Sequence, residues 1–409
     1  GLATLPHVGV VAGSDDTEQL ERLLTRLADE VKRRRRTMSE RGAATVAELG
    51  ADAPPALVLL VDDWSGVIEG DGAAQTSFHE LLSGGATSAG LTVCLAGDER
   101  LLRGRVLNRI DHRFSLRLNS PADATALGLG VRNLPDGLPD GWLLAAADGT
   151  EVQVPLLAAD TEGTAQATAL RELGAALRAR FGDPDGPRAP MRLQPLPTRI
   201  GLGAATALPR SHNGDVLLGV TGDRHVGVWA ALGDATGHLL VAGPNRSGRS
   251  TALASVAASG AQAGHDVVLV APRTGEPHRR AEALGARLTT PDELAEVLSA
   301  ARPGLVVIDD ADLTRFDDDV VLALTGQGGP PLAVAALIDS FGFGARGLVD
   351  AAKKAAGPVV LLSPPNHLLA EYVGIRIDRG AAFSGPPGRA FVSVGGELLL
   401  CQVPDLTVD

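Results

Sequence analysis

Short runs of β-branched residues and leucine alternate along the whole chain with stretches whose apolar residues fall at helical spacing. Residues 8–12, 57–61 and 91–96 are such runs in the first half, and residues 239–242, 267–271, 305–308, 332–338 and 359–362 in the second. Short continuous apolar runs, without the alternation of a half-exposed strand, predict strands buried on both faces of a mostly parallel sheet flanked by helices. The fold class is therefore α/β. Leu20, Leu23, Leu24, Leu27 and Val31 repeat with helical period and predict a helix from about residue 15. A second helix is predicted from about residue 251 to 261.

The segment 181–199 interrupts the pattern. Its Asp183-Pro184-Asp185-Gly186-Pro187 run, with Pro190, Pro195 and Pro197, can neither continue a helix nor fill a central strand. The chain is expected to divide into a domain at 1–180, a Pro/Gly-rich linker at 181–198 and a domain at 199–409, which suits its 409 residues. The halves also resemble each other. Asp62-Asp63 recurs as Asp309-Asp310, Ser120-Pro121 as Ser363-Pro364, Gly130-Val131-Arg132 as Gly374-Ile375-Arg376, and Gln153-Val154-Pro155 as Gln402-Val403-Pro404. The order is kept and the offset hardly drifts, which points to a tandem duplication.

Composition removes several function classes. The only cysteines, Cys94 and Cys401, lie in apolar runs and can build neither a disulfide framework nor a cysteine-ligated zinc site. No apolar run approaches the roughly 18 residues of a bilayer span. A net charge of −12, from 37 basic and 49 acidic residues, argues against a surface that coats nucleic acid. Lysine occurs only at Lys32, Lys353 and Lys354, so arginine supplies most of the basic charge. The chain starts at Gly1 and has methionine only at Met38 and Met191, and it is expected to be part of something longer.

The sharpest chemical motif is Gly243, Pro244, Asn245, Arg246, Ser247, Gly248, Arg249, Ser250 and Thr251, between a predicted strand and a predicted helix. That context is the one a phosphate-binding loop needs. Small residues let successive N–H groups curl around a phosphate at a helix N-terminus, while the Ser250 hydroxyl faces magnesium. The loop departs from the usual pattern at Arg249, where a lysine is expected. The second element is the strand 305–308 ending in Asp309 and Asp310. An acid at the end of a neighbouring strand can hold magnesium, and the next can polarise an attacking water. Asp62 and Asp63 repeat that signal with no glycine loop before them.

HLLVAGPNRSGRSTAL followed by LVVIDDADL resembles the nucleotide-binding domain of the FtsK/SpoIIIE family of RecA-like ATPases. LPHVGVVAGSD, LVLLVDDWSGV, GLTVCLAGDERLLRGRVLNRIDHRFSLRL and EVQVPLL resemble the later part of another such domain. The likeness runs from about Leu5 to Pro404. It implies two tandem RecA-like P-loop NTPase domains, the first incomplete and without its P-loop, similar to the EccC-type motors of type VII secretion and to forkhead-associated-domain-containing FtsK-like proteins. It further implies ATP and magnesium as ligands, with Ser250 and Asp309 on the metal and Asp310 as the catalytic acid. Arg109 or Arg113 would reach a neighbouring subunit as an arginine finger. The implied partners are upstream ATPase domains of the same protein, further copies in a hexameric ring and a secreted protein substrate, and the implied location is the cytoplasm, at the inner face of the cell membrane if N-terminal regions beyond this chain anchor it there.

The departures from the family pattern imply degeneracy. Arg249 replaces lysine, Asp310 and Asp63 stand where glutamate is usual, and Asp339-Ser340 and Gly97-Asp98-Glu99 stand where a sensor glutamine is expected. Gly388-Arg389, a family signature, reads Gly141-Trp142 in the first half. The expected function is an ATP-binding, weakly hydrolysing module that regulates a secretion motor or receives its substrate. Two alternatives stay open: a DNA translocase, and an interaction module that needs no nucleotide. The basic run Lys32, Arg33, Arg34, Arg35 and Arg36 is expected to close the first helix, its cations matching the negative helix end. The nine histidines show no metal-ligand spacing, and Trp64, Trp142 and Trp229 read as packing residues.

Overall fold

Asp16 opens the first helix by accepting the Gln19 N–H at 2.9 Å, which satisfies one of the free donors of α1 (Thr17–Glu40). The computed structural model describes residues 1–66, 72–103, 106–116, 120–129, 139–184, 186, 189–233, 235–377 and 385–406. These form two units, Gly1–Leu193 and Gln194–Asp409.

The first unit continues with β1 (Leu57–Val61), α2 (Gly72–Ser83), β2 (Leu91–Leu95), β3 (Phe114–Ser115), α3 (Pro121–Leu127), β4 (Trp142–Ala145), β5 (Glu151–Gln153) and α4 (Gly163–Phe181). β1 and β2 pair in parallel, and β3, β4 and β5 form a separate antiparallel sheet. The core gathers Leu20, Leu24, Leu27 and Val31 of α1 against Trp64, Phe78 and Leu91, with the Trp64 and Phe78 rings edge-on at 5.0 Å.

Three expectations for this unit need correction. β1 is covered on one face only, since Val58 and Leu60 are 62% and 60% exposed while Val61 is buried. Residues 8–12 run without a ladder partner among the described residues, so an apolar run that reads as a strand forms none there. The basic run does not end α1, which continues to Glu40 with no basic residue in its last turn. Arg34 is instead a buried tie: it donates to Glu30 Oε1 at 2.7 Å, to the Ala89 carbonyl at 3.1 Å and to the Pro55 carbonyl at 2.8 Å. Arg35 donates to the Gly84 carbonyl at 2.8 Å. Burial alone would raise the Glu30 carboxyl, but the bonds from Arg33 and Arg34 hold it below the usual range.

The second unit holds α5 (Leu202–Thr206), β6 (Val216–Thr221), β7 (Val226–Ala230), β8 (His238–Gly243), α6 (Arg249–Gln262), β9 (Val267–Val270), α7 (Glu276–Ala283) and β10 (Arg287–Thr289). After these come α8 (Leu294–Ala300), β11 (Leu305–Ile308), α9 (Asp318–Thr325), β12 (Leu332–Leu337), α10 (Gly347–Lys354), β13 (Ala356–Leu362), α11 (His367–Ala370), β14 (Arg389–Val394) and β15 (Glu397–Gln402). The ten strands form one sheet in the order β10-β9-β11-β12-β8-β13-β14-β15-β6-β7. β10 to β13 in that order are parallel, and the last four extend the sheet antiparallel. The apolar runs of β8, β9 and β11 are buried at every position because helices cover both faces. α6 lies on one face with Leu305, Val307, Ala333 and Ala335, and α10 lies on the other with Val306, Ile308 and Val334. Small residues let α6 sit close: a Cβ on Gly260 would stand 3.0 Å from Leu305 Cδ2.

The duplication is visible in local geometry. Asp63 and Asp310 both take a left-handed conformation, φ 54° and 44°, and each donates its N–H to the preceding aspartate, at 3.1 and 2.9 Å. Gly141 and Gly388 share positive φ, and each accepts an N–H at 2.8 Å, from Val154 and Val403. The hairpins that follow pair Trp142 with Gln153 and Arg389 with Gln402. The Ser-Pro pair is not equivalent in structure. Ser120 caps α3, whereas α11 is capped by Asn366 and Ser363 has φ 41°. Gly130, Val131 and Arg132 lie outside the described residues.

Candidate functional site

β8 delivers the chain into the loop at Gly243, where no side chain fits: a Cβ would meet Ser247 Oγ at 2.4 Å and the Leu362 carbonyl at 2.8 Å. Arg246 and Gly248, at φ 62° and 96°, turn the backbone before α6 starts at Arg249. Pro244, Asn245 and Ser247 complete the turn, and Ser250 and Thr251 occupy the first turn of α6. The N–H groups of that first turn have no intrahelical acceptor and carry the positive end of the helix dipole.

Arg249 folds back across the loop. Its Nη1 donates to the carbonyls of Gly243 at 2.9 Å and Pro244 at 2.7 Å, and its Nη2 donates to Asp310 Oδ1 at 3.0 Å. The planar guanidinium thus links the glycine loop to the end of β11, with two of its nitrogens aimed at separate acceptors in a fixed fork. Arg249 Nε and Ser247 Oγ are buried and have no hydrogen-bond partner among the described residues. Two orphaned donors at a glycine loop are what an incoming phosphate oxygen would satisfy.

Asp309 lies deeper. Its Oδ2 accepts from His278 Nε2 at 2.9 Å and its Oδ1 from the Asp310 N–H at 2.9 Å. His278 Nδ1 accepts the Gly275 N–H at 2.9 Å, so its proton sits on Nε2 and points at Asp309. Burial by itself would raise the Asp309 carboxyl. The hydrogen bonds from His278 and Ser250 outweigh it and hold the group below its ordinary value, as a carboxylate. Among the described residues no cluster of three or more His, Cys, Asp or Glu could hold a metal. A magnesium ion here would take Ser250 and Asp309 together with water and phosphate oxygens, the usual set for that ion.

The structure therefore brings together the glycine loop, Arg249, Ser250, Asp309 and Asp310. Arg109 belongs to the first unit, where it is exposed at the end of a single turn, Leu107–Arg109. Arg113 is committed to the Ile110 and Leu107 carbonyls, both at 3.0 Å. His278 escaped sequence reasoning, because one histidine in a polar stretch after β9 carries no periodic signal. Arg389 is buried and donates to the Pro197 carbonyl at 3.3 Å, so in this unit the Gly-Arg pair braces the start of β14.

A family model described as the FtsK/SpoIIIE family matches residues 1–135. A third of the chain is thus similar to that family. The ESX-4 secretion system protein EccC4 of Mycobacterium tuberculosis is 29% identical over 258 residues, 61% of this chain and 19% of that protein. The ESX secretion system protein EccC of Thermomonospora curvata is 24% identical over 270 residues, 63% of this chain and 20% of that protein. The chain thus spans about a fifth of the length of these relatives. Among solved structures, EssC (ATPases 2 and 3) from Geobacillus thermodenitrificans aligns over 99% of this chain and 82% of its own, with a TM-score of 0.70 and 17% identity. Thermomonospora curvata EccC (ATPases 2 and 3) in complex with a signal sequence peptide aligns over 99% and 80%, with a TM-score of 0.59 and 19% identity. Both support the fold: tandem α/β units of the P-loop kind.

Proposed function

We propose that the chain is a nucleotide-binding module of a type VII secretion ATPase, whose second unit holds ATP with magnesium and turns it over slowly. The observation that carries this reading is Arg249. In place of a compact lysine it spans Gly243, Pro244 and Asp310, so the acid best placed to polarise a water is instead paired with the loop's own arginine. Ser250 and Asp309 would hold the metal, and the loop N–H groups, Ser247 and Arg249 would hold the phosphates. Such a unit fits regulation of a motor or reception of its substrate. The partners of this reading are upstream ATPase domains of the same protein, further copies in a ring, with Arg109 as a trans contact, and a secreted protein, at the cytoplasmic side of the membrane; the similarity to ESX secretion system proteins and to an EccC solved with a signal sequence peptide supports the last of these partners. The acidic chain, and a basic run whose Arg34 and Arg35 bind carbonyls, weigh against DNA translocation.

Calorimetric titration of ATP with magnesium tests the reading. Wild type is expected to bind weakly. Arg249→Lys, which restores a compact cation, and Asp310→Asn, which frees Arg249 to meet the phosphates, are each expected to bind about tenfold tighter, a change of about 1.4 kcal/mol. No binding by any of the three proteins removes the phosphate-loop assignment.

A further inference from the structure

His278 uses both nitrogens of its ring, and each use fixes the other. Nδ1 accepts the Gly275 N–H at 2.9 Å, which closes the first turn of α7 and leaves the ring proton to Nε2. Nε2 donates that proton to Asp309 Oδ2 at 2.9 Å. Turning the ring over would break both bonds, and with His278 4% and Asp309 1% exposed neither partner has bulk water to fall back on. The ring has one orientation and one tautomer.

The helix that carries the ring is itself held fast. Ala281 of α7 is buried in the same cluster as Leu253 and Ala257 of α6. Arg280 of α7 donates to the Leu406 carbonyl at 3.0 Å, and the buried Ser255 of α6 donates to the Pro404 carbonyl at 2.7 Å, so one C-terminal segment ties the two helices together. The ring is thus anchored before any ligand arrives, and the Asp309 carboxylate is anchored through it. Packing alone gives no reason for such a pair, since well-packed apolar residues of similar volume serve stability as well as a buried ion pair does. What an apolar pair cannot do is aim a carboxylate.

We propose that His278 is a positioning residue: it holds the Asp309 carboxylate in the orientation in which, together with Ser250, it receives magnesium. The histidine acts through Asp309 and touches no substrate. A carboxylate already fixed by a hydrogen-bond donor loses little freedom when it meets the ion, so His278 sets how far magnesium tightens nucleotide binding. This deepens the reading of the second unit as a nucleotide site and rests on it.

Two substitutions separate this role from the helix cap. His278→Asn places its amide where Nδ1 stands, keeping the bond to Gly275 and falling short of Asp309. His278→Gln reaches to where Nε2 stands and keeps a donor on Asp309. ATP is titrated calorimetrically into the purified chain and both variants, once with excess magnesium and once with EDTA. The tightening caused by magnesium is expected to fall about tenfold in His278→Asn and to stay within about threefold of wild type in His278→Gln, while metal-free binding is the same in all three. Equal tightening in wild type and His278→Asn overturns the proposal. So does a loss in His278→Asn that is just as large without metal, which would make the histidine a cap only. No ATP binding by wild type under either condition removes the nucleotide site itself, and this role with it, so the two failures are told apart. If His278→Asn does not fold, wild type answers alone: the ring-nitrogen NMR signals of His278 are expected to show the Nε2–H tautomer and to shift on adding ATP with magnesium more than with ATP and EDTA. Ring signals that ignore the metal contradict the proposal.

Discussion

Asp309→Ala is expected to destabilise the second unit by about 3 kcal/mol, roughly 6 to 12 °C in melting temperature for a unit of this size, and to abolish the magnesium-dependent part of nucleotide binding. The carboxylate is 1% exposed and accepts from His278 Nε2 and from the Asp310 amide, so truncation leaves two buried donors without partners. Asp309→Asn, which keeps an acceptor and the shape, should cost about half as much. Trp229 is the only tryptophan of the second unit and is buried under the Arg210 guanidinium at 3.8 Å, so its fluorescence follows this melting. The pH dependence has a fixed sign. Because the folded-state value of Asp309 lies below its unfolded value, its contribution is complete above the unfolded value of about 4 and is lost as pH falls through the folded value. Thermal melts of the three proteins at neutral pH, and of wild type from pH 6 down to pH 3, check both statements. A shift under about 2 °C for the alanine variant contradicts the burial argument.

Arg34→Ala is expected to cost the first unit a comparable amount, about 3 kcal/mol, since it removes a buried cation, leaves Glu30 with Arg33 as its remaining partner and leaves the Pro55 and Ala89 carbonyls unmatched. Lys32→Ala and Arg36→Ala should change stability by less than about 0.5 kcal/mol, because both side chains point to solvent. Trp64 and Trp142 report this unit. The same partition bears on nucleic acid. Only Lys32, Arg33 and Arg36 are free of a carbonyl tie, and Arg33 already pairs with Glu30 at 2.7 Å. Duplex binding by this run should therefore be weak at about 150 mM salt, with a salt slope no steeper than about −2.7 for three phosphates. Anisotropy across a salt series measures it, and tight binding that survives Lys32→Ala with Arg36→Ala would place the contacts elsewhere and favour a DNA translocase.

The second unit was readable because its strands are buried on both faces and so appear as unbroken apolar runs, and because its loop needs glycine where backbone must pass backbone. Gly243 and Gly248 announce the turn, and Asp309-Asp310 announce the neighbouring strand end. The β6–β7 hairpin and the extension of the sheet beyond β13 carry weaker signals, since alternate strand pairings fit the same apolar pattern. Three features lay beyond sequence reasoning for physical reasons. The path of the Arg249 side chain depends on tertiary neighbours at Gly243, Pro244 and Asp310. His278 acquires its role only when α7 brings it against β11. Arg34 is one of five consecutive basic residues, and only the facing loops select it for burial. The run at 8–12 reads as a strand and forms none, because a strand exists only with a partner to ladder against.

The most direct test of the central claim, a second unit that holds nucleotide without rapid turnover, is the rate of phosphate release from saturating ATP and magnesium by the purified chain and by Asp309→Ala. The account predicts release far below the roughly 1 to 1,000 per second of typical enzymes. Turnover at those ordinary rates in wild type, lost in Asp309→Ala, would contradict it.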